Sequence, residues 1–360
     1  MIYAILLAIL LVALVLLLAW QLLRWLPAGA DRLKPLPYVI ALLPIAPFCA
    51  ALGLVASAVA AVATRSQNEF YKSYLFLCVA YTLLFVISLK SYTPYLAVRL
   101  LRIKQEKSPE SSLELSLEKS REIRVMTLNC RYGRANASQI IKLAKTHKID
   151  TILLQEVSKK LVKNLEKLGI KHDFAHVQLG NANGHENGGF NAIYTRLSNV
   201  KSFGKSIKID AANVPIVTAV TCDSSAENLL ITFASAHPKS PMRGCAAWSN
   251  GIMALAKIGE NHNENNVKDV KKVTIIGGDL NSTPDHPSFR ALLKSGFLDA
   301  SMQIGKRLKT WPTWQKWPNL ALDHVLVKSI GCTAKATEQR AIRVDGSDHF
   351  ALIVCVSIPL

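Results

Sequence analysis

Val273-Thr-Ile-Ile-Gly-Gly-Asp279-Leu-Asn281-Ser-Thr-Pro284 is a strand-length apolar run that breaks at two glycines and ends on a carboxylate and an amide two positions apart. Four consecutive β-branched residues favour extended, buried backbone, and the following Gly, Asn and Pro punctuate it. One Asp at a strand end carries little weight, because turns and helix caps use Asp routinely. The fold turns on whether other strand ends in the chain are furnished in the same way.

They are. The run Ile123–Leu128 leads into Asn129, Thr151–Leu154 into Gln155-Glu156, and Leu229–Ala234 into Ala236-His237-Pro238. Two further runs are preceded rather than followed by polar groups: Leu322-Asp323 before His324–Val327, and Ser347-Asp348-His349 before Ala351–Val356. Phe190–Tyr194 and Val214–Val220 add strands, and helical periodicity fills Ser138–Lys145, Lys159–Leu168, Ala246–Ile258 and Ser288–Leu293. Strands and helices in this alternation predict a mixed α/β domain. Six strand ends can then bring carboxylates, amides and imidazoles to one edge, the inventory needed to bind Mg²⁺, activate water and hold a phosphate.

In order and spacing these segments resemble the endonuclease/exonuclease/phosphatase superfamily, which includes deoxyribonuclease I, abasic-site endonucleases, sphingomyelinases and inositol polyphosphate 5-phosphatases. The resemblance runs from about Ile123 to the C-terminus and implies a four-layer α/β/β/α sandwich. It implies Glu156 as the principal metal ligand, with Asn129 beside it and Asp348 as a second acid near a Mg²⁺, Mn²⁺ being the alternative ion. Asp279 and Asn281 would orient water and donate to a phosphoryl oxygen. His349 would lie beside the scissile phosphate, oriented by Asp323, and His237 would contact the phosphate or assist the leaving group. One departure stands out: abasic-site endonucleases carry an acid shortly after the first Asn, whereas here Asn129-Cys130-Arg131 follows and the next acid is Asp150. Arg131 instead offers a cation to a substrate phosphate. The remaining histidines lack motif context, and Trp311, Trp314 and Trp317 read as a loop packed beside the site.

The first hundred residues have a different character. The apolar runs 2–20, 38–63 and 74–89 contain no acid, Lys or Arg, and each approaches the ~20 residues that cross a bilayer. They predict a bundle of about three transmembrane helices over 1–102, a linker over 103–121 with a short helix at 113–119, and a catalytic domain over 122–360. The chain is therefore expected in the cell membrane as a multi-pass protein. Basic residues follow the first run, so a retained span is expected rather than a cleaved leader. Seven cysteines without a Cys-x-x-Cys pair suggest neither a zinc ribbon nor a complete disulfide framework.

A net charge of +18 with a mean hydropathy of +0.22 excludes ordinary disorder. After the first 104 residues +11 remains, enough to attract any polyanion without identifying one. The anchor discriminates better, since a tether of about 20 residues, roughly 70 Å at full stretch, holds the site near the bilayer. The expected function is a phosphoesterase acting on a phosphate ester or pyrophosphate, with a lipid-linked partner favoured over nucleic acid. The alternatives are a membrane-tethered nuclease and a non-catalytic binding module of the same fold. His237-Pro-Lys-Ser-Pro241 and Gly278–Pro284 also resemble a bacterial membrane-anchored branch that includes glycopeptide-resistance-associated proteins, which implies lipid-linked substrates outside the cytoplasmic membrane. The Lys and Arg count flanking three spans, eight against two, points to a cytoplasmic domain. The two indications of side disagree, and oligomeric state is not legible.

Overall fold

The computed structural model describes residues 1–106, 120–181, 188–201, 206–222, 228–259, 271–315 and 319–359. The N-terminal part is helical: α1 (Ile2–Leu22), α2 (Leu36–Ala41), α3 (Ala46–Ala63), α4 (Asn68–Ser88) and α5 (Thr93–Glu106). The region of the second expected span is broken by a 3₁₀ turn at Leu43–Ile45 that contains Pro44. Proline removes a helical hydrogen bond and clashes with the preceding turn, so α2 and α3 are separate rods. The third helix begins at Asn68, six residues before its uncharged core, because Asn68, Glu69 and Lys72 occupy its first turns. Most of the expected linker, and all of its short helix, falls on 107–119, outside the described residues.

Side chains such as Ile9, Val15, Val59, Val62, Phe76, Val79 and Leu83 remain exposed on α1, α3 and α4. Water would penalise this surface, whereas hydrocarbon would not. The inner faces are specific. Tyr74 and Tyr81 of α4 donate to the carbonyls of Tyr3 and Leu10 at 2.7 and 2.8 Å. A Cβ on Gly53 would lie 2.2 Å from the Tyr81 ring, so only glycine admits that ring against α3.

The remainder is two six-stranded sheets. The first is built from β1 (Ser120–Asn129), β2 (Thr151–Val157), β3 (His176–Leu179), β4 (Phe190–Thr195), β11 (Lys335–Arg343) and β12 (Phe350–Pro359), ordered β11-β12-β1-β2-β4-β3. The second holds β5 (Val200–Lys201), β6 (Ile216–Cys222), β7 (Asn228–Ser235), β8 (Lys271–Asp279), β9 (Leu298–Asp299) and β10 (Asp323–Ile330), ordered β5-β6-β7-β8-β10-β9. Their inner faces share one core, with Val125, Leu153, Val354 and Ile193 meeting Phe233, Ile231, Ile275 and Val325. On the outer face of the first sheet pack α6 (Ala137–Thr146), α7 (Lys159–Lys167) and α8 (Ile170–Asp173). Against the second lie α9 (Cys245–Ala254), through Trp248 and Ile252, and α10 (Pro287–Lys294), through Phe289 and Leu292, followed by α11 (Ala300–Ile304). The result is the expected four-layer sandwich.

Each sheet contains one parallel pair, β1 with β2 and β7 with β8, so all four of these strands finish at the same edge. The strands β10 and β12 run antiparallel to β8 and β1 and start there, with Asp323 paired to Asp279. The six furnished strand ends thus converge.

The helical part docks onto the second sheet's outer layer through polar contacts. Asp31 accepts a 3.0 Å hydrogen bond from the Ser288 backbone N–H and one from its hydroxyl, capping α10 from outside its own segment. His286 donates Nε2–H to the Pro37 carbonyl at 2.9 Å and accepts the Thr283 N–H at Nδ1. Burial pushes the His286 imidazole below its ordinary pKa, so it is held neutral. Because the unfolded chain takes up that proton first, stability should fall as pH drops below about 6.5. Replacing Asp31 with Ala should cost about 1–2 kcal/mol, read as a lower thermal midpoint in detergent.

Candidate active site

Asn129 ends β1 buried between two carboxylates, its Nδ2 donating to Glu156 Oε1 at 3.2 Å and Asp279 Oδ2 at 3.0 Å. Its Oδ1 accepts the Arg131 N–H at 2.9 Å, folding the chain back into a turn. Arg131 and Tyr132 in that turn have φ of 43° and 56°, left-handed values that cost non-glycine residues energy. The turn aims the Tyr132 N–H at Glu156 Oε2, 2.9 Å away. Glu156 itself, at φ 51°, sits where the β2–β4 register shifts between Leu154 and Val157. That irregularity turns its carboxylate out of the pleat and into the cleft.

Asp279 lies at the bottom. Its Oδ1 accepts the Asn281 N–H at 2.9 Å, and its Oδ2 lies 3.5 Å from both His237 Nε2 and His349 Nε2. Burial works against a charge here, but His349 and His237, with the Asn129 amide, outweigh it and hold the carboxyl well below the usual carboxylate range. His349 donates Nδ1–H to Asp323 Oδ2 at 2.8 Å. Burial disfavours its cation too, yet Asp323 and Asp279 prevail and raise the imidazole to about 10. The Asp279, Asp323 and His349 donor atoms lie within 4.8 Å of one another. With Nδ1 bonded to Asp323 and Nε2 facing Asp279 across 3.5 Å, that trio reads as a charged relay rather than a metal nest.

His237 follows β7, buried, with Nε2 3.8 Å from Glu156 Oε1. Gly278 allows this approach: a Cβ there would lie 1.8 Å from the Ala236 carbonyl. Asn281, also left-handed at φ 49°, points Nδ2 to the Pro238 carbonyl at 3.5 Å. Asp348 lies further along the cleft, with Oδ1 3.9 Å from Arg131 Nε and Oδ2 accepting Trp311 Nε1–H at 3.4 Å. All of these except Asp323 line one cleft of about 480 Å³; Asp323 stands behind His349.

The cleft fits a hard divalent cation. Glu156 is 14% exposed, each of its oxygens accepts one amide donor, and lone pairs remain on both. Asp150, the next acid after Asn129 in the sequence, sits at the far end of β2 from Glu156. There it accepts the Arg124 N–H at 2.8 Å and faces Arg196.

Several lining groups have no local sequence signal. Arg243 donates to the Tyr132 hydroxyl at 2.7 Å and closes one side of the cleft. Ser347 donates to the Asn129 carbonyl at 2.6 Å and accepts the His349 N–H at 2.9 Å, tying β1 to the start of β12. Trp311 lies with its ring 6.4 Å from that of His349. It stacks edge-on with Trp314, while Trp317 is outside the described residues. His324, which lacks motif context but is a rim candidate beside Asp323, is ion-paired with Asp299 and buried against Phe289. Cys49, Cys78, Cys130, Cys245, Cys332 and Cys355 are free thiols.

Asp323→Asn removes one of the two charges holding the His349 proton. In the metal-free protein its NMR titration midpoint should drop from about 10 toward the ordinary 6.5. An unmoved midpoint would contradict the relay.

No curated protein matches the chain. Among solved structures, humanized D. rerio TDP2 aligns at 18% identity and TM-score 0.47, covering 65% of this chain and 98% of its own. A family protein from Bacteroides thetaiotaomicron aligns at 16% and 0.48, covering 68% and 97%, and a mannosyl-6-phosphatase from the same organism at 16% and 0.46, covering 65% and 99%. The profile of the endonuclease/exonuclease/phosphatase family matches residues 126–349, from the middle of β1 to His349, and so takes in Asn129, Glu156, His237, Asp279, Asn281, Asp323, Asp348 and His349. The chain therefore belongs to that family and is a metal-dependent phosphoester hydrolase.

Proposed function

We propose that the protein is a membrane-anchored, Mg²⁺-dependent phosphoesterase that hydrolyses a phosphate ester or pyrophosphate of a membrane lipid, with residues 1–102 as anchor and 122–360 as catalytic domain. The observation that carries this reading is the composition of the cleft. Pro37, Tyr38, Ala41 and Leu42, from α2 and its end, form one wall beside Asn129, Glu156, His237, Asp279 and His349. The apolar anchor thus contributes to the reaction chamber itself. Tyr38 donates to the Pro241 carbonyl at 3.0 Å and so grips the His237-to-Pro241 loop. Trp314 and Met242, 60% and 82% exposed, add apolar surface on the Arg131 and Arg243 sides, which suits an interfacial substrate.

Glu156 and Asn129, with Asp348 further along the cleft, would hold the metal, which supplies positive charge against a phosphoryl oxygen. Asp279, kept ionised, orients a water molecule and accepts its proton. The His349 imidazolium, fixed by Asp323, donates to the phosphoryl oxygens as charge accumulates there. Asn281 adds an amide donor, and His237 serves the phosphate or the leaving oxygen. Arg131 steers the anionic group into the cleft.

Purified full-length protein should hydrolyse a polyprenyl pyrophosphate or phospholipid phosphate with Mg²⁺ and stop with chelator. Mn²⁺ tests the other hard ion. Glu156→Ala and His349→Ala should each lower turnover by about 10²–10⁴. Leu42→Glu should raise KM for the lipid while sparing a short water-soluble phosphodiester. Nicking of plasmid DNA without lipid turnover would instead establish the tethered nuclease. The connections at 23–35 and 89–92 touch the catalytic domain through Asp31 and Ser91 and carry Arg24, Arg32, Lys34 and Lys90, four of the eight basic residues in the eight-to-two count, which supports a cytoplasmic domain. A C-terminal reporter active on the outer face would reverse that orientation.

A further inference from the structure

A second cavity, of about 500 Å³, lies where the anchor meets the catalytic domain and shares no lining residue with the active cleft. The segment after α1 supplies Arg24 to Ala28, the turn after α4 supplies Lys90 and Ser91, the start of α5 supplies Pro94, and the catalytic domain supplies Asp285, Pro287, Arg290 and Lys294. Four cations therefore face one carboxylate. Asp285 is already satisfied: Ser91 Oγ lies 2.9 and 3.0 Å from its oxygens, and Arg24 Nη2 lies 3.8 Å away.

Arg24 is the informative residue. It is 4% exposed and donates Nη2–H to Ser91 at 2.9 Å, but its Nε and Nη1 have no hydrogen-bond partner among the described residues. A buried guanidinium with idle donors is costly, and an anion that accepts from them recovers the loss. The cavity's position at the ends of two candidate spans narrows the choice of anion. Trp25, half exposed at the end of a candidate span, lies under Arg24 and Lys90 at 5.7 and 5.1 Å, the arrangement of an interfacial aromatic. Lipid phosphates occupy that level of a bilayer, and basic pockets between membrane helices receive them.

We propose that this cavity binds the phosphate headgroup of an anionic phospholipid, distinct from the substrate, and that the bound lipid clamps the anchor to the catalytic domain. The phosphate engages Arg24, Lys90, Arg290 and Lys294, and the acyl chains follow the exposed faces of α1 and α4. Ligand binding to the docked state alone stabilises it by mass action.

The test uses the full chain in nanodiscs with chelator present, so that no turnover occurs. Replacing phosphatidylcholine with phosphatidylglycerol should raise the unfolding midpoint by several degrees and leave phosphatidylglycerol bound in native mass spectrometry. The Lys90→Gln/Lys294→Gln double variant keeps the buried Arg24 contacts and so should fold, but should weaken the lipid response about tenfold in lipid concentration. Equal midpoints in the two lipids, or a double variant that responds like wild type, would overturn the proposal. Inorganic phosphate that reproduces the shift in phosphatidylcholine discs would replace the lipid with a free anion.

Discussion

The Asp279 carboxylate is the point at which the two sheets meet chemically. Asn129 and His349 reach it from the first sheet, His237 from the second, and each holds the negative charge that burial would otherwise extinguish. Position follows from topology: the parallel pairs end together, and their antiparallel neighbours begin there. Gly278 lets β8 approach the Ala236 backbone closely enough for His237 and Asp279 to lie side by side. Shift the register by one residue and the carboxylate would point away from the cleft.

Around that charge the structure distributes backbone strain. Arg131, Tyr132, Glu156 and Asn281 all adopt left-handed conformations without being glycine. They lie at three of the strand ends that bear functional groups, where Asn129, Glu156 and Asp279 accept backbone N–H groups of Arg131, Tyr132 and Asn281 and hold the turns in place. Stability is given up locally to aim donors and carboxylates at a common space. The large apolar cores on both faces of each sheet can sustain that loss.

Much of this was legible in the amino-acid order. The strongly apolar strands β1, β2, β4, β6, β7, β8, β10 and β12 declare themselves by composition, and the groups at their ends needed only a common edge to assemble. The strands β3, β5, β9 and β11 do not, because they are short or, like β11, expose most of their polar side chains at a sheet margin. The joint between the N-terminal helices and the sandwich was hidden for another reason. Asp31 with Ser288, Pro37 with His286 and Tyr38 with Pro241 are separated by more than 200 residues, and no local period encodes such pairings. Tyr132 and Arg243 were likewise invisible until the Asn129 turn brought them together.

The break at Pro44 has a practical consequence. Because α2 stays against the catalytic domain while α3 departs, one side of the reaction chamber is encoded before the first residue of β1. A fragment trimmed to the sandwich would keep every candidate catalytic side chain and yet present a wider mouth, stripped of Pro37, Tyr38, Ala41 and Leu42. Inhibitors selected against such a fragment would be shaped to an opening that the intact protein does not possess.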